Sequence, residues 1–281
     1  MFKQAIQSGG VAVVTGGASG VGFAAATRFA EAGLAVLLAD LAGEPLDTGL
    51  AALRDKVPGN DRIAAQPTDV SDPASVALLA EAAFDIGPVA VLMNNAGIAR
   101  PTSAWEGGKD WRRMFAVNLF GVLNGLEAFV PRMIAAGTPG AIINTGSKQG
   151  ITSPPGNAGY NASKAAVKTL TEMLAHELRE AGAPISAHLF VPGFTYTGMI
   201  ARFIPEKPPS AWSAEETVDH MLARAERGDF YILCPDNAVT EAHDRARIQW
   251  ASHDITENRP ALSRWHPDHA EAFAAFETAK T

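Results

Sequence analysis

The chain has 281 residues, with 23 Lys+Arg against 30 Asp+Glu, a formal net charge of −7 and a single cysteine, Cys234. That length is ample for an extended buried core, and 47% hydrophobic against 19% charged residues excludes a disordered chain. The acidic balance, with no dense basic run, argues against a nucleic-acid partner, and one cysteine rules out an intrachain disulfide or a cysteine-cluster metal site while suiting a reducing compartment.

The opening MFKQAIQSGG lacks the order of charged, apolar and small residues of a secretory leader. No run of about 18 or more uncharged apolar residues appears, so the expectation is a cytoplasmic chain with no membrane partner. In chain order, short apolar runs read as strands over Val11–Val14, Ala35–Ala39, Ile63–Ala65, Val89–Met93, Ala141–Asn144, Ile185–Val191 and Phe230–Leu233. Between them, helical spacing of apolar residues marks Gly20–Ala32, Pro73–Phe84, Asp110–Ala135, Ala158–Ala181 and Ala214–Arg227. Strands apolar on both faces and separated by helices predict an α/β fold: a doubly wound, seven-stranded, mostly parallel sheet of Rossmann type with helices on both faces. Residues 1–281 read as one domain. Residues 195–212, with Pro205, Pro208 and Pro209, interrupt the alternation and are expected to form a substrate loop. Residues 235–281 carry Trp250, Trp265, Phe273 and Phe276, which need cover from the parent domain or a neighbouring subunit.

The first strand runs into Thr15-Gly16-Gly17-Ala18-Ser19-Gly20-Val21-Gly22 and then into a helical pattern. Glycines there permit the tight turn and let the backbone approach a pyrophosphate at the positive end of the helix, and the strand-before, helix-after context makes this a dinucleotide site. The second strand ends at Asp40, about 20 residues on, where a carboxylate accepts hydrogen bonds from the adenosine ribose and repels a 2′-phosphate. Ser19 offers that phosphate no positive charge, so NAD is expected over NADP. Asp69-Val70 and Asn94-Asn95-Ala96-Gly97 follow the third and fourth strands, at the carboxyl ends where parallel sheets bind ligands, although Asp and Asn also make turns.

Ser147, Tyr160 and Lys164, with Asn118 upstream, carry the chemistry. Tyr160 and Lys164 are four apart and share a helix face. A phenol with a pKa near ~10 is a poor base at neutral pH, but an adjacent ammonium favours the phenolate. Such a tyrosine exchanges a proton with an alcohol while hydride leaves or reaches carbon, and Ser147 is placed to hold the oxygen.

Taken together, TGGASGVG, Asp40, Asp69-Val70, NNAG, Val117-Asn118-Leu119, Ser147, Tyr160-Asn161-Ala162-Ser163-Lys164 and Pro192-Gly193 followed by Thr195 and Thr197 resemble the single-domain short-chain dehydrogenase/reductase family, in family order over residues 11 to 234. The resemblance implies that Tyr160 is the general acid/base, that Lys164 binds the nicotinamide ribose and lowers the Tyr160 pKa, and that Ser147 positions the substrate oxygen. It implies that Asn118 bends its helix and holds a water linking Lys164 to solvent. The cofactor set it implies is Gly16, Ala18, Ser19, Gly20, Val21, Gly22, Asp40, Asp69 and Val70 beside the adenine, Asn95, Ala96 and Gly97 on the adenosine side, and Tyr160, Lys164, Pro192, Gly193, Thr195 and Thr197 towards the nicotinamide. Homotetramers or homodimers built on the two longest helices and the last strand are also implied.

The expected reaction is therefore NAD-dependent interconversion of a secondary alcohol and a ketone, with a small-molecule substrate and no metal. Phe194, Met199, Ile200 and Phe203 point to an apolar or aromatic ring-bearing alcohol, with Met199 and Phe203 read as pocket or lid packing. Two alternatives stay open: an NADPH-dependent carbonyl or 3-oxoacyl reductase, and an NAD-binding redox-sensor scaffold acting through a partner. Lys148, directly after Ser147, is either a substrate-facing charge or a solvent or subunit contact. Pro154 and Pro155 shape the loop before Tyr160. His266-Pro267-Asp268-His269 is read as no metal site, His176 as a helix-surface residue, and Glu215-Glu216 as the start of a helix.

Overall fold

Seven parallel strands form one sheet in the order β3-β2-β1-β4-β5-β6-β7. They are β1 (Val11–Thr15), β2 (Ala35–Asp40), β3 (Ile63–Pro67), β4 (Val89–Asn94), β5 (Gly140–Thr145), β6 (Ile185–Val191) and β7 (Tyr231–Leu233). The structure is a computed structural model that describes residues 1–202 and 204–281; the packing expected of Phe203 and of the Met199 side chain lies outside what is described. Every residue of β1 is buried, and so are all but the last of β2. Cover on both faces is why these strands read as continuous apolar runs rather than alternating ones. The chain winds outward from β1 to β3, then returns to lay β4 on the other side of β1, and this reversal opens a crevice at the carboxyl ends of β1 and β4.

On one face lie α1 (Phe2–Ile6), α2 (Gly20–Glu31), α3 (Glu44–Lys56) and α10 (Ala214–Glu226), whose Phe2, Phe29, Leu53, Val218 and Met221 share a core with Val14, Leu38 and Ile143. The other face carries α4 (Pro73–Ile86), α5 (Gly108–Phe115), α6 (Gly121–Ala136), α7 (Gln149–Thr152) and α8 (Ala158–Glu180), with Leu79, Phe129, Val167 and Leu174 packed on Val13, Leu37 and Leu92. After β6 come α9 (Gly198–Ala201) and α10, and the chain closes with α11 (Glu241–Thr256) and α12 (Ala270–Lys280).

Three departures from expectation have local causes. Helix α3 was not anticipated, because only Leu46, Gly49 and Leu53 are buried on it and its start, with Gly43 and Pro45, looks like a turn. The single helix expected over Asp110–Ala135 is divided by a π-helical turn, Ala116–Phe120, with Asn118 buried inside it; such single turns are commonly associated with functional sites. The stretch Gly108–Ala136 is long and apolar enough, by length and composition, to cross a membrane. Val122, Leu126, Phe129 and Met133 are nevertheless buried against the sheet, as in a core helix.

Helix starts follow their side chains. Asp72 accepts the Ala74 N–H ahead of Pro73 at the start of α4. At α10 the expected role of Glu215-Glu216 is taken by Glu216, which forms a reciprocal capping box with Ser213. In the C-terminal segment Trp250 stacks edge-on against Phe273 and Phe276 and donates to Ser263 Oγ at 2.7 Å. Trp265 remains 38% exposed. His266 accepts the Asp268 N–H in a short 3₁₀ turn, and His176 contacts Arg179 on the surface of α8.

Candidate active site

The glycine turn leaves β1 at Thr15. Gly16 sits at φ +63°, and a Cβ there would come within 2.9 Å of Ala96 Cα, so only glycine fits. A Cβ on Gly22 would lie 2.1 Å from the Gly16 carbonyl oxygen, which lets the start of α2 rest directly on the turn. Ser19 precedes α2 without a side-chain cap bond. The first-turn N–H groups of Gly20, Val21 and Gly22 are thus free of a side-chain cap at the positive end of a helix, which suits a pyrophosphate.

Asn95 holds this turn from the side. Its Nδ2 donates to the Thr15 and Gly16 carbonyls at 3.1 and 3.3 Å, its Oδ1 accepts from Thr145 at 3.3 Å, and its N–H goes to Thr15 Oγ1 at 2.9 Å. The Ala96 N–H joins the same Thr15 hydroxyl at 3.1 Å. Expected beside the adenosine, Asn95 has its amide nitrogen engaged by the backbone of the turn and its oxygen by the Thr145 hydroxyl, so it buttresses the turn against β5. Gly97 lies where an added Cβ would be 3.4 Å from Asn118 Oδ1 and 3.6 Å from Lys164 Nζ.

Asp40 ends β2 with its carboxylate turned to the glycine turn, accepting the Ala18 N–H at 3.1 Å and the Leu41 N–H at 2.9 Å. Beside it, a recess of about 390 Å³ between α2 and α3 is lined by Ala18, Ser19, Phe23, Glu44 and Thr48 among others. Glu44 was not singled out in the sequence, since nothing there marked α3 as a wall of the site. Asp69 is exposed, and hydrogen bonds from the Ser71 hydroxyl and N–H hold its carboxyl below the ordinary carboxylate range. Val70 is buried on Gly121, and its carbonyl accepts from Asn124 at 2.8 Å.

At the end of β5 and on α8, Ser147, Tyr160 and Lys164 converge. Burial raises the Tyr160 phenol pKa above its ordinary 10, and the neighbouring Ser147 hydroxyl offsets part of the rise. Lys164 is buried, donates to the Thr145 carbonyl at 2.7 Å and lies 5.9 Å from the centre of the Tyr160 ring. Desolvation lowers its ammonium to about 8. Burial, not Lys164, is thus the governing effect on the Tyr160 phenol, and the ammonium expected to lower its pKa is directed to the Thr145 carbonyl. Thr145 was missed, because its contribution is a backbone carbonyl that no residue type announces.

Asn118 holds the π turn to the loop after β4. Its Oδ1 accepts the Ile98 N–H at 2.8 Å, and its Nδ2 donates to the Ile98 carbonyl at 2.9 Å and to Ser163 Oγ at 3.1 Å.

Pro192 and Gly193 leave β6 where a Cβ on Gly193 would strike the Cys234 and Pro235 carbonyls. Thr195 turns its hydroxyl inward, to the Gly193 carbonyl at 3.3 Å and Thr217 at 3.0 Å, and so supports the loop base. Thr197 lies against the glycine turn: a Cβ on Gly20 would be 3.3 Å from its Cβ and Cγ2. Both ends of the 195–212 loop are tied together, with Trp212 N–H to the Phe194 carbonyl and Tyr196 N–H to the Trp212 carbonyl at 2.9 and 2.8 Å. Neither reading of Lys148 fits its position, because its ammonium faces Asp244 and Asp236 of this same chain at 2.7 and 3.7 Å.

These landmarks agree with what the chain is similar to. A family model described as short chain dehydrogenase matches residues 10–208. The cis-4-hydroxycyclohexanecarboxylate dehydrogenase of Sinomonas cyclohexanicum is 37% identical over 219 residues, covering 77% of this chain and 84% of its own. A Burkholderia phymatum short-chain dehydrogenase/reductase in complex with NAD superposes with a TM-score of 0.79 at 32% identity, over 89% of this chain and 95% of the other. A Sphingobium yanoikuyae short-chain dehydrogenase in complex with NADPH gives 0.73 at 27% identity, over 89% and 94%. The matched span runs from the glycine turn through Ser147 and Tyr160 into the 195–212 loop, and the chain belongs to the short-chain dehydrogenase/reductase family, a family of oxidoreductases that use a nicotinamide cofactor.

Proposed function

We propose that this chain is an NAD-dependent dehydrogenase that interconverts a secondary alcohol on an apolar ring with the matching ketone. The observation that carries the reading is the meeting of Ser147, Tyr160 and Lys164 beside an uncapped glycine turn. Support for NAD comes from Asp40 at the end of β2 and from Glu44 in the adjoining recess, two carboxylates that disfavour a 2′-phosphate. Support for a ring alcohol comes from the hydroxycyclohexane substrate in the name of the Sinomonas relative and from the apolar Phe194 and Ile200 at the loop.

The bound cofactor supplies the acceptor for the hydride that leaves the carbinol carbon. Ser147 donates a hydrogen bond to the substrate oxygen and holds it against the phenol. In reduction Tyr160 gives its phenol proton to the oxygen as hydride reaches carbon and is left as the phenolate, and in oxidation that phenolate takes the hydroxyl proton as hydride leaves. The Lys164 ammonium, fixed by the Thr145 carbonyl, places positive charge beside the phenolate as it forms. Asn118 keeps the Ile98 loop and the π turn in register with α8 through Ser163.

The test is calorimetric titration with NAD and with NADP, followed by nicotinamide reduction with cis-4-hydroxycyclohexanecarboxylate and cyclohexanol. NAD should bind the more tightly and support turnover, and Tyr160→Phe should abolish turnover while leaving NAD binding in place. A preference for NADP would refute the reading of Asp40, and undiminished turnover in Tyr160→Phe would refute the mechanism.

A further inference from the structure

Lys148 occupies the position after Ser147, and its side chain reaches into the C-terminal segment. Its ammonium lies 2.7 Å from Asp244 Oδ2 on α11 and 3.7 Å from Asp236 Oδ2, and only 20% of the Lys148 side chain and 6% of each aspartate side chain is exposed. We propose that Lys148 is a positioning residue, which straps the Ser147 turn to α11 and to the root of the substrate loop and so holds Ser147 in place. The proposal rests on the reading of Ser147 as the group that holds the substrate oxygen.

The backbone makes the coupling short. The Lys148 carbonyl accepts the Ile151 and Thr152 N–H groups at 3.1 and 3.0 Å, while the Ser147 carbonyl accepts the Gly150 N–H at 3.0 Å. Ser147 Oγ accepts the Gln149 N–H at 3.2 Å. Ser147 and Lys148 therefore belong to one hydrogen-bonded turn, and a shift of the second carries the first. Gly150 seats this turn on α8, because a Cβ there would be 2.5 Å from the Lys164 carbonyl carbon.

The anionic side of the strap is built into the loop root. Asp236 accepts the Phe194 N–H at 3.2 Å and the Ala238 and Val239 N–H groups at 3.0 and 2.8 Å. Next to it Asn237 donates to the Pro209 carbonyl and accepts from Trp212 Nε1, so this corner grips the loop at both ends. Three backbone donors sustain the Asp236 charge without Lys148. Asp244 is different: among the described residues its salt bridge is to Lys148 alone. Apolar contacts would hold α11 as firmly as a buried ion pair does; what the pair adds is a fixed direction for the Lys148 main chain.

The experiment compares the full-length wild type with Lys148→Met, Asp244→Asn, the two combined, Lys148→Arg, and Lys148→Met with Asp244→Leu. Hydrogen exchange needs no substrate, and it should show the Gln149–Thr152 amides exchanging about 10-fold faster in both single variants, as expected for a locally loosened turn. With cis-4-hydroxycyclohexanecarboxylate or cyclohexanol, kcat should fall about 10- to 100-fold while KM for NAD holds, because a misplaced oxygen anchor costs the chemical step. The Lys148→Met/Asp244→Asn variant should be no worse than either single change, and Lys148→Arg should stay near wild type. The apolar Lys148→Met/Asp244→Leu variant should melt near the wild-type temperature yet keep the loss in kcat. Unchanged exchange in Lys148→Met, full turnover in Asp244→Asn, or full turnover in the apolar variant would each overturn the strap. If the wild type turns over neither alcohol, the proposed function fails at that point, and the exchange measurement still decides whether the strap exists.

Discussion

Lys164 should destabilise the protein it serves. Its ordinary pKa of 10.5 falls to about 8 in the folded chain because burial disfavours the ammonium. Below pH 8 both folded and unfolded chains carry the proton, so the penalty is present in full; at about 1.36 kcal/mol per unit it amounts to roughly 3 kcal/mol. Between pH 8 and 10.5 the unfolded chain binds the proton and the folded chain releases it, so stability rises with pH through that window. Above 10.5 neither state is charged and the penalty is gone.

Lys164→Met keeps the length of the side chain and removes the charge. It also removes the hydrogen bond to the Thr145 carbonyl, a loss of about 1 kcal/mol. The variant should therefore be about 2 kcal/mol more stable than wild type at pH 7, and should lose that advantage by pH 10.5. Urea unfolding at pH 7, 8, 9 and 10 reads the difference directly, and turnover should fall by about 10²- to 10⁴-fold in the same variant. A variant less stable than wild type at pH 7, or a stability difference that does not shrink as pH rises, would refute the reasoning.

Two further changes probe the cofactor end of the site and a third the C-terminal segment. Asp40→Ser removes the carboxylate that accepts the Ala18 N–H; NAD affinity should fall about 10- to 100-fold, in line with about 1.5–3 kcal/mol for a charge-assisted hydrogen bond, while the gap to NADP narrows in calorimetry. Gly22→Ala drives a methyl group to 2.1 Å from the Gly16 carbonyl oxygen, which should cost about 3 kcal/mol of stability and abolish NAD binding, as read by thermal melts and titration. Trp250→Ala empties the contact with Phe273 and Phe276. It should cost about 3–5 kcal/mol and expose residues 235–281 to limited proteolysis before the sheet is cut.

Much of this architecture was legible because local chemistry and tertiary structure agree. Val11–Val14 and Ala35–Ala39 are apolar throughout, which only a sheet covered on both faces tolerates, and the structure covers both faces. Gly16 and Gly22 announced the dinucleotide turn, the first through its positive φ and the second because any side chain there would strike the Gly16 carbonyl. The spacing of Tyr160 and Lys164 put them on one helix face before any coordinates were needed. Helix α3 escaped because three buried positions make a faint stripe, and the π turn because one extra residue per turn leaves no composition signal.

What the sequence by itself determined was the order of strands and helices, the glycine turn and the candidates for the reacting side chains, all of which depend on residue type and on separations of a few positions. Only the tertiary structure decided which neighbours those residues meet. Lys148 finds Asp244 ninety-six positions away, Asn95 turns its amide to the glycine turn, and Lys164 donates a hydrogen bond to the Thr145 carbonyl. Burial and long-range pairing set the surroundings of each group, and both arise when distant segments exclude water between them.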